Sequence, residues 1–216
     1  ESPAAKPAPT WRRRLGRTAA ATAVAICAAG AWLALAGGLG YYWNLQGEQA
    51  RERLDWDEAV VGFEKSIRWD GGNWQPHLGL GQVRSAQAVW HRDPDPEAER
   101  AAKAAWAAEA EAHLVRAQEL NPFDMAAALM LGRVYNARGE PEAALAEFRR
   151  AAAARPRYVF YREQVGIQLR RMGRDREALD VFRANLADGV GEEVSQLNVR
   201  LLERKLAREP APPPAP

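Results

Sequence analysis

The sequence has little of the chemistry that enzymes use. Its only cysteine is Cys27, so no internal disulfide can form. The three histidines, His77, His91 and His113, are scattered, and none has another histidine or a cysteine four residues away. There is also no glycine-rich phosphate loop and no recognisable catalytic triad. We therefore predict a protein without catalytic activity, metal or cofactor.

Charge is missing from one long stretch, Thr18 to Gly40, which is rich in alanine and other apolar residues. About 20 such residues in a helix span a bilayer, so we predict a transmembrane helix over 18–42. Four arginines precede it at 12, 13, 14 and 17, and no lysine or arginine follows until Arg51. This asymmetry predicts a single span of the inner membrane, with a cytoplasmic N-terminus and the rest of the chain periplasmic.

Two further interpretations of this stretch stay open. The small residues of "ALAG" at 34–37 fit a signal-peptide cleavage site, and cleavage there would give a secreted soluble protein. The second interpretation is a buried helix of a soluble protein, because alanine is only weakly hydrophobic. The Pro/Ala-rich composition predicts a flexible basic segment over 1–17 and a disordered tail over 209–216.

The basic excess of the chain belongs to its N-terminal segment. The sequence pI is about 8.9 and the net charge is +2, but beyond residue 17 acidic side chains slightly outnumber basic ones. The body of the protein therefore lacks the charge of a nucleic-acid-binding domain, and we predict no nucleic-acid partner.

Beyond the apolar stretch, one pattern recurs four times. A small residue is followed after four positions by a large apolar one and after three more by another small or polar one. This spacing places the three on one helical face, where small residues allow close helix approach and the large one fills the groove. The triads are Ala59/Phe63/Ser66, Ala110/Leu114/Ala117, Ala144/Phe148/Ala151 and Ala178/Phe182/Asn185.

A glycine stands upstream of each triad, at Gly47, Gly81, Gly132 and Gly166. The third and fourth glycines are 34 residues apart, as are the corresponding triads. With Trp43, Leu131, Tyr135 and Pro156 at further positions, the pattern resembles the tetratricopeptide repeat (TPR) family. The resemblance implies an all-α fold, a superhelix of about four helix–turn–helix repeats within a TPR domain over 43–190. The expected repeats are about 40–73, 74–124, 125–158 and 159–190, with a capping helix over 191–208.

The second repeat contains an insertion of 17 residues between Gly81 and Ala110. Asp95 and Pro96 are typical of an N-cap and a first helical position, so the insertion is predicted to lengthen the second helix of this repeat. Asp55 and Asp175 are predicted as N-caps in the same way.

A repeat stack of this kind offers a concave surface formed by the first helix of each unit. Polar and basic side chains of this surface would suit an extended peptide with acidic groups or a free C-terminal carboxylate. The alternative is that they are ordinary solvated residues. The predicted groove residues are Gln82, Arg133, Asn136, Gln164, Arg170 and Arg171.

The function that follows is a non-catalytic, membrane-anchored scaffold for protein–protein interaction or envelope complex assembly. The layout of a Pro-rich basic segment, one apolar helix and repeats also resembles the C-terminal tail of O-antigen ligase/polymerase-like membrane proteins. Because the sequence begins with Glu1, a fragment of such a glycan-transfer protein is an alternative, and a secreted soluble TPR protein is a second one.

Overall fold

The computed structural model describes residues 10–189 and 191–208, with side chains from residue 21 onward except at 192. Within these ranges there are nine α-helices and no strand, as predicted for the all-α fold. They are α1 (Thr10–Glu52), α2 (Trp56–Trp69), α3 (Trp74–Trp90), α4 (Pro96–Leu120), α5 (Ala126–Arg138), α6 (Pro141–Ala154), α7 (Val159–Arg171), α8 (Asp175–Ala187) and α9 (Glu192–Leu206).

The apolar stretch and the first repeat helix form one continuous helix, α1. It begins at Thr10, so the segment predicted to be flexible over 1–17 is helical from residue 10, and residues 1–9 lie outside the described part. Its portion Ala21–Glu52 is long and apolar enough to cross a membrane, a property that signal sequences share. Most of this portion is exposed, unlike the core helix of a soluble protein.

The remaining helices stack in pairs. The C-terminal part of α1 packs on α2, and α3/α4, α5/α6 and α7/α8 repeat this arrangement, with each pair contacting the next. All twelve triad residues are buried, as the repeat pattern predicts. Each upstream glycine lies against the large residue of its own triad: a Cβ on Gly132 would lie 2.4 Å from Phe148, and one on Gly166 would lie 2.7 Å from Phe182.

The insertion lengthens both helices of the second repeat. Helix α4 has 25 residues and α3 has 17, whereas α5 and α7 have 13 each. As predicted, Asp95 is the N-cap of α4: its carboxylate accepts a hydrogen bond from the Glu97 amide at 2.9 Å, and Pro96 is the first helical residue. Asp55 caps α2 in the same manner.

The predicted N-cap at Asp175 is wrong. Arg174 occupies that position, and Asp175 is the first residue of α8, buried and ion-paired with Lys205 of α9. Helix α9 packs on α8 and carries the buried residues Ser195, Asn198 and Leu202. The Asp175 carboxylate therefore pairs with Lys205 of α9 and does not cap the N-terminus of α8, which is the role that the sequence alone predicts. The predicted tail at 209–216 lies outside the described residues.

Candidate peptide-binding cleft

A cleft of about 530 Å³ lies where the C-terminal half of α3, the N-terminal half of α4 and the face of α5 meet. Its wall is mostly apolar, with Val89 of α3, Ala104 and Ala107 of α4, and Met130 and Val134 of α5. Since the N-terminal half of α4 belongs to the insertion, the α4 side of this wall has no counterpart in the other repeats. The insertion therefore converts part of a shallow concave surface into a cleft.

Four cations surround the cleft, and no carboxylate among the described residues lines it. Lys103 is paired with Glu99, and Arg138 with Glu111 and Glu140. Arg100 and Arg133 are exposed, and neither forms an ion pair or hydrogen bond with any residue that the structure describes. These two guanidinium groups keep their full hydrogen-bonding capacity for a ligand.

Tyr135 links α5 to the extended α4 beside the cleft. Its hydroxyl donates a hydrogen bond to the Glu111 carboxylate at 3.0 Å. Burial and this hydrogen bond raise the pKa of Tyr135 to about 12, so the phenol stays protonated and remains a donor. Because Glu111 also pairs with Arg138, the contact holds Arg138 at the end of the cleft.

Trp90 ends α3 at the rim of the cleft with 73% of its surface exposed. It also lines a second opening, about 640 Å³, together with Leu54, Trp56 and Trp106. The indole of Trp106 packs edge-on against His91, with 4.8 Å between ring centroids. An exposed tryptophan beside a cleft, such as Trp90, is typical of residues that dominate binding energy in interfaces.

Only two of the six groove residues predicted from the sequence line the cleft. Gln82 and Arg133 both line the cleft. Gln164, half-buried, and Arg171, exposed, lie on α7 and outside it. Next to Gln164, Glu163 is buried, and burial raises the pKa of its carboxyl group.

Asn136 and Arg170 are already engaged within the protein. The amide of Asn136 exchanges two hydrogen bonds of 2.8 Å with Gln168 of α7, a side chain only 1% exposed. Arg170 donates a hydrogen bond to Asn198 of α9 at 2.6 Å. Both residues therefore connect neighbouring helices of the stack, and a ligand would have to displace these contacts.

Arg100, Lys103 and Arg138 join Arg133 at the cleft, although the repeat pattern does not predict this. The available signal was the three-residue spacing of Arg100 and Lys103, which places them on one face of a helix that the insertion extends. The repeat pattern does not include Arg100 and Lys103, because the insertion has no counterpart in the other three units, whereas Arg138 lies on α5, outside the insertion.

The structure also corrects the description of the histidines as scattered. His77 of α3 and His113 of α4 lie together, with 3.0 Å between their Nδ1 atoms. Within the described residues, no group of three or more His, Cys, Asp and Glu side chains could hold a metal ion. We interpret the pair as one imidazole N–H donating to the other ring nitrogen, which requires at least one neutral ring.

Protonation of this pair is expected to destabilise the second repeat. Burial, followed by His113 and Arg116, lowers the pKa of His77 to about 4 from 6.5, and burial lowers that of His113. Because the unfolded chain takes up the proton first, stability is lost as pH falls from about 6.5 to 4, by about 1–2 kcal/mol after allowance for solvent screening. The charged neighbours are Glu64, Arg84, Glu109 and Arg116.

The measurement is urea unfolding at several pH values between 4 and 7, for the wild type and for His77→Gln. The variant removes one titrating ring while the carboxylates that also titrate in this window stay in place. Its stability should fall less steeply with pH than that of the wild type. Parallel pH dependences would contradict the assignment.

No protein-family model and no curated protein matches the sequence. Solved structures are nevertheless similar in fold. A thermophilic TPR protein of Thermus thermophilus has a TM-score of 0.58 and 18% identity, over 85% of this chain and 95% of that one. YrrB, a TPR protein with an unusual peptide-binding site, has a TM-score of 0.55 and 21% identity, over 76% of each chain.

The TPR domain of Arabidopsis OM64 aligns with 64% of this chain and 98% of its own, at a TM-score of 0.51 and 15% identity. At such identities the likeness concerns the fold. Together with the buried triads and their paired glycines, it shows that the chain has the tetratricopeptide-repeat fold.

Proposed function

We propose that this protein is a non-catalytic scaffold that binds a peptide segment of a partner protein in the cleft between α3, α4 and α5. The observation that carries the proposal is an apolar wall surrounded by four cations with no lining carboxylate among the described residues. Such a surface complements a segment that combines apolar side chains with carboxylates, either acidic side chains or a free C-terminus. The similar fold of YrrB, whose name records a peptide-binding site, supports this class of ligand.

We further propose that α1 anchors the repeats to a membrane, with its N-terminus cytoplasmic and the repeats on the other side. Two features support this: the exposed apolar portion of α1, and the arginines that precede it. Cleavage near Ala36 would remove Trp32, whose ring packs on Trp69 of α2 at 6.1 Å between centroids. Retention of the helix keeps that contact. With the repeats on that side of the membrane, the cleft would bind partner proteins and hold them in an envelope complex.

The experiment is a peptide selection with the full chain in detergent micelles. A displayed library of random peptides, with both internal and C-terminal display, is selected against the immobilised protein. Enriched sequences should carry Asp, Glu or a terminal carboxylate within a few residues of a large apolar side chain. Enrichment of basic peptides, or none above bare micelles, would contradict the proposal.

A further inference from the structure

Helix α2 returns alongside α1 far into the apolar stretch. The hydroxyl of Ser66 donates a buried hydrogen bond of 2.7 Å to the Gly40 carbonyl. A Cβ on Gly40 would lie 2.8 Å from the Cβ of Asp70, so only glycine permits this approach. The contact between Trp69 and Trp32 extends the packing eight residues further along α1. The C-terminal end of α2 therefore lies beside residues of the predicted transmembrane segment 18–42.

Between the two helices runs an opening of about 730 Å³, here called the interfacial groove. The Lys65 ammonium lies 4.0 Å from the centroid of the Trp43 ring. Arg68 is exposed and has no partner among the described residues. The groove is lined chiefly by Trp32, Leu39 and Trp43 of α1 and by Lys65, Arg68 and Trp69 of α2.

These positions conflict with a hydrocarbon layer that reaches residue 42. From Trp32 to Trp43, α1 rises about 16 Å, and over this length Lys65 and Arg68 lie beside it. A hydrocarbon boundary at residue 42 would immerse Arg68, which is strongly unfavourable, and would leave Lys65, which contacts Trp43, at the boundary itself. Tryptophan, lysine and arginine together are instead typical of the membrane–water interface.

We propose that the interfacial groove holds the phosphate headgroup of an anionic membrane phospholipid and seats the first repeat on the bilayer surface. The proposal rests on the anchoring of α1 proposed above and moves the hydrocarbon boundary from residue 42 to the neighbourhood of Trp32. Lys65 and Arg68 donate to the phosphate, while Trp32 and Trp69 contact the upper acyl chain. The stretch from Arg17 to Trp32 rises about 22 Å, which a bilayer accommodates by local thinning.

The first test is thiol accessibility in lipid vesicles with the repeats facing outward. Single cysteines are placed in a Cys27→Ser background at Val24→Cys, Gly38→Cys and Phe123→Cys, and reacted with a membrane-impermeant maleimide. A Cβ on Gly38 meets no atom within 4 Å, and Phe123 is 81% exposed in the turn between α4 and α5. We expect Val24→Cys to be protected and Gly38→Cys to react at a rate close to that of Phe123→Cys.

The other outcomes separate the two proposals. Protection at both Val24→Cys and Gly38→Cys would leave the anchor in place and overturn the interfacial groove. Reaction at Val24→Cys as fast as at Phe123→Cys would overturn the anchor and, with it, the groove.

The second test addresses the headgroup. Electron paramagnetic resonance of spin-labelled phosphatidylglycerol and phosphatidylcholine gives the preference of the full chain for the anionic lipid. Lys65→Gln and Arg68→Gln should each lower this preference about fivefold. The control, Arg176→Gln, changes an exposed arginine of α8 far from α1. If the double variant Lys65→Gln/Arg68→Gln kept the wild-type preference for phosphatidylglycerol, the phosphate site would be overturned.

Discussion

Ala151→Arg is expected to lower the free energy of unfolding by about 4–5 kcal/mol. Ala151 is the last residue of the third triad, is 0% exposed, and belongs to the core that α5 to α8 share. Arginine there must either force the helices apart or bury an unpaired charge, since the crossing leaves room only for a methyl group. The measurement is urea unfolding followed by far-ultraviolet circular dichroism.

The chain provides a matched control two residues further along α6. Ala153 is exposed on the same helix, so Ala153→Arg makes the same chemical change without burial. Its effect should stay within about 0.5 kcal/mol. Equal denaturation midpoints for the two variants would show that the triads do not form the helix crossings.

The repeat architecture could be predicted from the sequence because the helix crossings impose a local pattern. Phe148 fills the space that Gly132 leaves open, and the same pairing recurs at Phe182 and Gly166. Each pairing requires one small and one large residue at a fixed separation within the repeat. Such constraints repeat with the structural unit, so a single sequence displays them several times.

The cleft could not be predicted in the same way, because it arises where the chain departs from the repeat. Arg100 and Lys103 belong to the insertion and have no counterpart in the other units. The repeat pattern places Asn136 on the surface predicted for a ligand, but its hydrogen-bond partner Gln168 belongs to the next repeat. Hydrogen bonds between polar side chains 32 residues apart leave no periodic signal, so the pattern of a single helix does not show which polar residues are already engaged.

Charge reversal in the cleft is expected to abolish most peptide binding. With Arg100→Glu and Arg133→Glu combined, affinity for a peptide from the selection should fall about 100-fold, or about 3 kcal/mol. Both guanidinium groups lack partners among the described residues, so no intramolecular ion pair is broken. Fluorescence anisotropy of the labelled peptide measures the change, and the wild-type affinity should weaken with added salt.

The matched control is the double variant Arg170→Glu/Arg171→Glu on α7. It makes the same change in net charge on residues of the groove predicted from sequence, but outside the cleft. If the ligand lies in the cleft, this variant keeps its affinity within about threefold, since exposed charges at a distance are screened. Loss of binding in the α7 variant alone would move the site to the C-terminal repeats. Because Arg170 also holds Asn198 of α9, circular dichroism must show that this variant remains folded before its affinity is compared.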